Sequence, residues 1–152
     1  MNTRATSCGD LTMPYSIRGI QYYRITVADQ PDEAFQLLSD LADFGVNLLA
    51  FTAVPSGPDH VQFTLFPADP SRLEAESRRA GLVLDGPHAA ILIQGDDELG
   101  ALANVHRRLA NASVAIYASS GIADGRGSFG YVIYVREDQV DRAMSALETS
   151  TS

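Results

Sequence analysis

The chain contains no lysine: all 11 of its basic residues are arginine. This removes Schiff-base chemistry, a Walker-type phosphate lysine and every other scheme that needs a lysine amine. Cysteine is almost as scarce. Cys8 stands alone, so no intrachain disulfide can form and no cysteine cluster can hold zinc or iron–sulfur, which suits a reducing cytoplasm. Positive charge is in deficit, with 11 basic against 19 acidic residues and a net charge of −8. Without a basic face to recruit phosphates, sequence-independent nucleic-acid binding is disfavoured. Long apolar runs are missing too. No stretch approaches the roughly 20 apolar residues of a membrane span, and the first twenty residues hold no signal-peptide core, so a soluble cytoplasmic protein is expected.

What is present is 152 residues, 45% hydrophobic and 20% charged. That suffices for one ordinary domain or two small ones sharing a core, and is too little for a large multidomain enzyme. Residues 1–20 mix Ser, Thr, Gly and Pro without periodicity and read as a flexible leader, and residues 149–152 as a tail.

Between them the chain repeats itself. A shift of 68 residues brings Ile25 onto Ile93, Asp29 onto Asp97, Leu41 onto Leu109, Ala42 onto Ala110, Val46 onto Val114 and Gly57 onto Gly125. The patterning agrees. Tyr23, Ile25 and Val27 alternate with polar neighbours as a strand, and Ala34, Leu37, Leu38 and Leu41 then take helical spacing, with Asp29 as candidate N-cap and Gly45 as stop. Val46–Val54 reads as a central strand and Val61–Phe66 as a third. A helix follows from Pro70 to Ala80, opened by Asp69-Pro70 or by a Ser71/Glu74 capping box, and a short strand at Leu82–Leu84 closes the unit. The second half replays this with a strand at Ala89–Gln94 and a helix from Asp97 to about Asn111, with Leu99, Leu102, Val105 and Leu109 inward. Strands at Val114–Ser119 and Phe129–Val135 and a helix at Glu137–Leu147 complete it. No last strand is visible for this copy.

The fold class expected is α+β: two ferredoxin-like βαββαβ units, residues 21–86 and 87–148, each an antiparallel sheet with its helices on one face. The opposite face would carry Tyr22, Leu49, Phe51, Phe66, Leu92, Tyr117, Val132 and Tyr134. Such a face is too apolar for water, so a homodimer is expected to cover it.

The stretch Ile91-Leu92-Ile93-Gln94-Gly95-Asp96-Asp97-Glu98-Leu99-Gly100-Ala101-Leu102-Ala103, with Leu109-Ala110 and Val114-Ala115-Ile116-Tyr117 behind it, resembles an ACT domain. The first half supplies that family's Gly-Val-Asn element as Gly45-Val46-Asn47-Leu48. Asp32 stands opposite Gly100, and Ser113 and Ala115 stand opposite Gly45 and Asn47. The resemblance covers residues 21–148 and implies a free-standing tandem ACT protein. It further implies a small amino acid held at the inter-unit junction by Asp96, Asp97, Glu98, Leu99, Gly100 and Ala101 with Val46, Asn47 and Leu48. The chemistry is direct: free N–H groups at a helix N-terminus favour a carboxylate, a glycine lets the ligand approach, and an aspartate accepts from an ammonium.

Each feature also has a plainer reading. An acid ahead of a helix, like Asp96 or Asp97, ordinarily caps it, and Asn47 suits a strand-end hydrogen bond. The glycines of residues 119–128 join two strands, so they suit a hairpin loop better than a phosphate site. His60, His88 and His106 lack metal-ligand spacing, and no G-x-S-x-G nucleophile elbow occurs. Phe129-Gly130-Tyr131 resembles base-stacking aromatics, but the acidic balance opposes that. The function expected is therefore non-enzymatic: an allosteric regulatory or sensor protein that binds an amino acid, without metal or cofactor, and acts on a regulated enzyme. The alternatives are an interaction module without a ligand site and, further off, a small ferredoxin-like enzyme.

Overall fold

Alternating apolar residues and four helical stripes give the computed structural model of residues 15–148 its elements. In order these are β1 (Tyr15–Ala28), α1 (Glu33–Asp43), β2 (Leu48–Pro55), β3 (His60–Pro67), α2 (Pro70–Ala80) and β4 (Asp85–Asp96). They continue with α3 (Ala101–Asn111), β5 (Ala118–Ala123), β6 (Ser128–Tyr134) and α4 (Val140–Glu148), the last entered through a 3₁₀ turn at Glu137–Gln139. The fold is α+β, as expected.

One compact unit is residues 21–88; the other joins residues 15–20 to residues 89–148. In the first the strand order is β2-β3-β1-β4, with β1–β3 and β2–β3 antiparallel. Its helix-side core is Tyr23, Ile25, Leu37, Leu41, Phe63, Leu65 and Leu73. In the second the order is β1-β4-β6-β5, with β4–β6 and β5–β6 antiparallel. Ile91, Ile93, Phe129, Tyr131 and Ile133 there pack on Val105 and Leu109 of α3 and on Ala143 and Leu147 of α4.

The 68-residue shift holds at the level of single hydrogen bonds. The Asp29 amide donates to the Asp59 carbonyl at 2.8 Å, and the Asp97 amide to Gly127 at 2.8 Å. Gln36 to Asp32 is matched by Asn104 to Gly100, Val46 to Leu41 by Val114 to Leu109, and Ser56 to His60 by Asp124 to Ser128.

Several expectations need correction. Tyr15–Ile20 is strand, and Tyr15 and Ile17 pack against the second core, so the leader read over residues 1–20 ends earlier; its part at residues 1–14, like the tail at 149–152, lies outside the described residues. This segment stands beside β4, where the second unit lacked a last strand. Residues 82–84 are not a strand; Leu82 and Leu84 pack on the first core and β4 begins at Asp85. Helix α1 starts after Asp32 rather than Asp29, without a side-chain cap. At α2, Asp69 accepts from the Arg72 amide with Pro70 behind it, which favours the Asp69-Pro70 start.

The face opposite the helices is also less demanding than the alternation implied. Tyr22, Phe66, Leu92, Val132 and Tyr134 are buried within the single chain, so they give no reason for a second copy. Phe51 belongs to the other face. A bulge between Leu48 and Ala50 inserts one residue, which reverses the alternation and lays Phe51 on Phe63 with ring centroids 5.3 Å apart.

Candidate functional site

The segment between β4 and α3 is built around Gly100, whose φ of 85° is open to glycine at no steric cost. Its left-handed turn delays the helix to Ala101, which is buried, and leaves Leu99 fully exposed ahead of it. Leu99 is therefore not inward as its spacing predicts, and Leu102 is also exposed.

The loop amides divide into two sets. Those of Asp97, Glu98, Ala101 and Asn104 donate to Gly127, Asp96, Glu98 and Gly100 at 2.8–3.1 Å. Those of Leu99, Gly100, Leu102 and Ala103 find no backbone acceptor among the described residues. No side chain caps the helix either, so Asp96 and Asp97 do not play the capping role an acid usually takes there.

Over these open amides lies a cavity of about 660 Å³, walled by residues 97–103, 121–123 and 129–131. Its rim is apolar and exposed at Leu99, Leu102 and Ile122. Its inner wall is Phe129 and Tyr131, both buried, which rules out base stacking by either ring. The Tyr131 hydroxyl is held by His106 Nε2 at 2.7 Å, giving that histidine a structural partner. Opposite Tyr131 in the strand register is Gly121, where an added Cβ would come within 2.8 Å of the Tyr131 ring.

At the tip of the β5–β6 hairpin, Asp124 Oδ1 accepts from the amides of Arg126 at 2.6 Å and Ser128 at 3.1 Å. The Arg126 bond first, then that of Ser128, holds its carboxyl below the ordinary aspartate value. The same tip supplies Gly127, whose carbonyl anchors Asp97. The glycine-rich stretch is thus a hairpin that braces the loop.

Of the residues implied by the resemblance, Asp97, Glu98, Leu99, Gly100 and Ala101 line this cavity. Asp96 closes β4 opposite Ser128. Val46, Asn47 and Leu48 belong to the 21–88 unit: the Val46 amide donates to Leu41, the Asn47 carbonyl accepts from Ala68 at 2.8 Å, and Leu48 pairs with Pro67. The second wall, Gly121–Ala123 and Phe129–Tyr131, was not anticipated. A signal for it existed in the repeat. Phe51 and Ala53 of the first unit correspond to Ser119 and Gly121 of the second, so an aromatic ring and a methyl give way to a hydroxymethyl and a hydrogen. No cluster of three or more His, Cys, Asp or Glu able to hold a metal occurs among the described residues. No helix among them is long and apolar enough to cross a membrane.

No protein-family model matches the sequence, and no curated protein matches it. Solved structures do. Protein BT0572 from Bacteroides thetaiotaomicron is 16% identical with a TM-score of 0.74, over 89% of this chain and 93% of that one. The regulatory subunit of aspartate kinase from Thermus thermophilus is 18% identical with a TM-score of 0.60, over 90% and 96%. That from Thermus flavus is 17% identical with a TM-score of 0.52, over 90% and 96%. Likeness at this identity establishes a shared fold.

Proposed function

We propose that this chain is a non-enzymatic regulatory or sensor protein of two ACT-like units in tandem, whose 15–20/89–148 unit binds a small amino acid. The observation that carries the reading is the cavity at residues 97–103, where unused helix amides meet an apolar wall. A carboxylate suits the amides of Leu102 and Ala103, an ammonium suits the carboxylate of Asp97 or Glu98, and an apolar side chain suits Ile122 and Tyr131. The fold is shared with regulatory subunits of aspartate kinase from two Thermus species, which supports this reading. A cytoplasmic setting and action on a partner enzyme belong to the same proposal, and regulation would follow from ligand favouring one conformation over another.

A thermal-shift screen of the twenty amino acids is the test, with a rise in Tm expected for at least one. Leu99→Ala is expected to weaken that response while leaving ligand-free stability within about 0.5 kcal/mol, as is usual for an exposed position. No response to any amino acid at millimolar concentration would remove the binding claim. Asn47→Ala tests the junction: weaker binding supports a contribution from Val46–Leu48, and unchanged binding confines the site to residues 97–131. A homodimer remains part of the proposal, with β5 as its natural contact. This edge strand is exposed along its whole length and carries neither charge nor proline to deter pairing. Sedimentation showing a monomer at all concentrations would exclude it.

The alternative of an interaction module is favoured by the 21–88 unit alone. There Asp32 takes the place of Gly100, and Phe51 stacks on Phe63 where the other unit has Ser119.

A further inference from the structure

Helix α2 carries Glu74, Ser77 and Arg78 at i, i+3 and i+4, one side of the helix. In the 21–88 unit a second cavity of about 220 Å³ is lined by these three, by Tyr23, and by Leu82 and Leu84. Tyr23 is buried, and its hydroxyl donates to the Glu74 carboxylate. Burial, and then the bond to Glu74 and its charge, raise the phenol far above its ordinary value, so it stays a neutral donor. Ser77 is also buried, and its Oγ has no hydrogen-bond partner. Protein interiors rarely leave such a group unmatched.

The fold does not require this polarity. Where the first unit has Tyr23 the other has Ile91, fully buried in an apolar core, and where α2 buries Ser77 the helix α4 buries Leu147. Glu74 and Arg78 sit one turn apart, yet Glu74 is engaged by Tyr23, and Arg78 has no ion-pair partner among the described residues. A negative and a positive group therefore border one small cavity without neutralising each other.

The geometry points to a second binding site here, for a small zwitterion. Its ammonium is taken by the Glu74 carboxylate and its carboxylate by Arg78; a short aliphatic side chain lies against Leu82 and Leu84. The volume, 220 Å³ against 660 Å³ for the loop cavity, restricts the ligand to few atoms beyond the two charged groups. The site shares no residue with the loop cavity and does not depend on it.

Calorimetric titration of the full chain with L-alanine is expected to show a saturable event, weakened at least about tenfold by Glu74→Gln and by Arg78→Ala. Leu99→Ala, which reports on the loop cavity, is expected to leave it unchanged. Ethylamine and propionate, each bearing one of the charges, are expected to bind at least about tenfold more weakly than L-alanine. Arg78 is exposed, so Arg78→Ala keeps the test decisive should Glu74→Gln impair folding. Three results would overturn the proposal: no saturable event at millimolar L-alanine, an event lost in Leu99→Ala but kept in Arg78→Ala, or ethylamine binding as tightly as L-alanine.

Discussion

Ser113 holds a left-handed backbone at φ 59°, in the place where the other unit has Gly45 at φ 74°. A side chain there costs about 1–2 kcal/mol, part of which glycine returns as greater freedom in the unfolded chain. Ser113→Gly is therefore expected to stabilise the protein by about 0.5–1 kcal/mol in urea unfolding. Gly45→Ser should destabilise it by about 1–2 kcal/mol, since the new Cβ would also meet Arg72 Nη2 at 2.8 Å, disturbing the bond from Arg72 Nε to the Phe44 carbonyl. Asp124 gives the pH counterpart. Because its carboxyl is held below the ordinary value in the folded hairpin, its contribution is full above the usual aspartate range near about 4 and is lost as pH falls through the lowered value. The protection factors of the Arg126 and Ser128 amides should fall over that acid window, and Asp124→Ala should lower them in the same way at neutral pH.

Among the elements, α3 separates what the spacing of apolar residues reveals from what it conceals. The stripe continuing through Val105 and Leu109 is real, and both are buried. Leu99 extends the same stripe on paper but precedes the left-handed Gly100, so its side chain never joins the helix. Leu109→Ala should cost about 2–5 kcal/mol in denaturant unfolding, whereas Leu99→Ala should cost almost nothing; equal costs would contradict this helix start. Phe51 was concealed in the same way, because a bulge has no signature in an alternating pattern. The loop half of the candidate site was legible, since Asp97 and Gly100 announce a strand-to-helix turn. Its strand half was not, because Gly121 and Tyr131 gain their meaning only when β5 and β6 are paired. Gly121→Ala is expected to weaken amino-acid binding at the loop cavity several-fold through displacement of the Tyr131 ring, as read by thermal shift.

At the scale of the whole molecule, the internal repeat was the most legible feature, and its missing strand the least. Tyr15 and Ile17 alternate for only a few residues before Gly19, too short a run to stand out, and the core they join lies more than 70 residues away along the chain. A fragment of residues 89–152 is accordingly expected to unfold without a cooperative transition by circular dichroism. Appending residues 15–20 through a flexible Gly/Ser linker should restore one, and failure to do so would mean that the strand is dispensable.

The discontinuous unit also bears on synthesis. During synthesis Tyr15–Ile20 leaves the ribosome before the sequence that completes its core, which is translated only after all of residues 21–88. The inserted unit has every one of its parts early, while the opening strand must wait with its hydrogen-bonding groups unclaimed. Whatever binds exposed strands in the cell meets this segment before its own partner does, so vectorial folding places the hazard of misassembly on this strand.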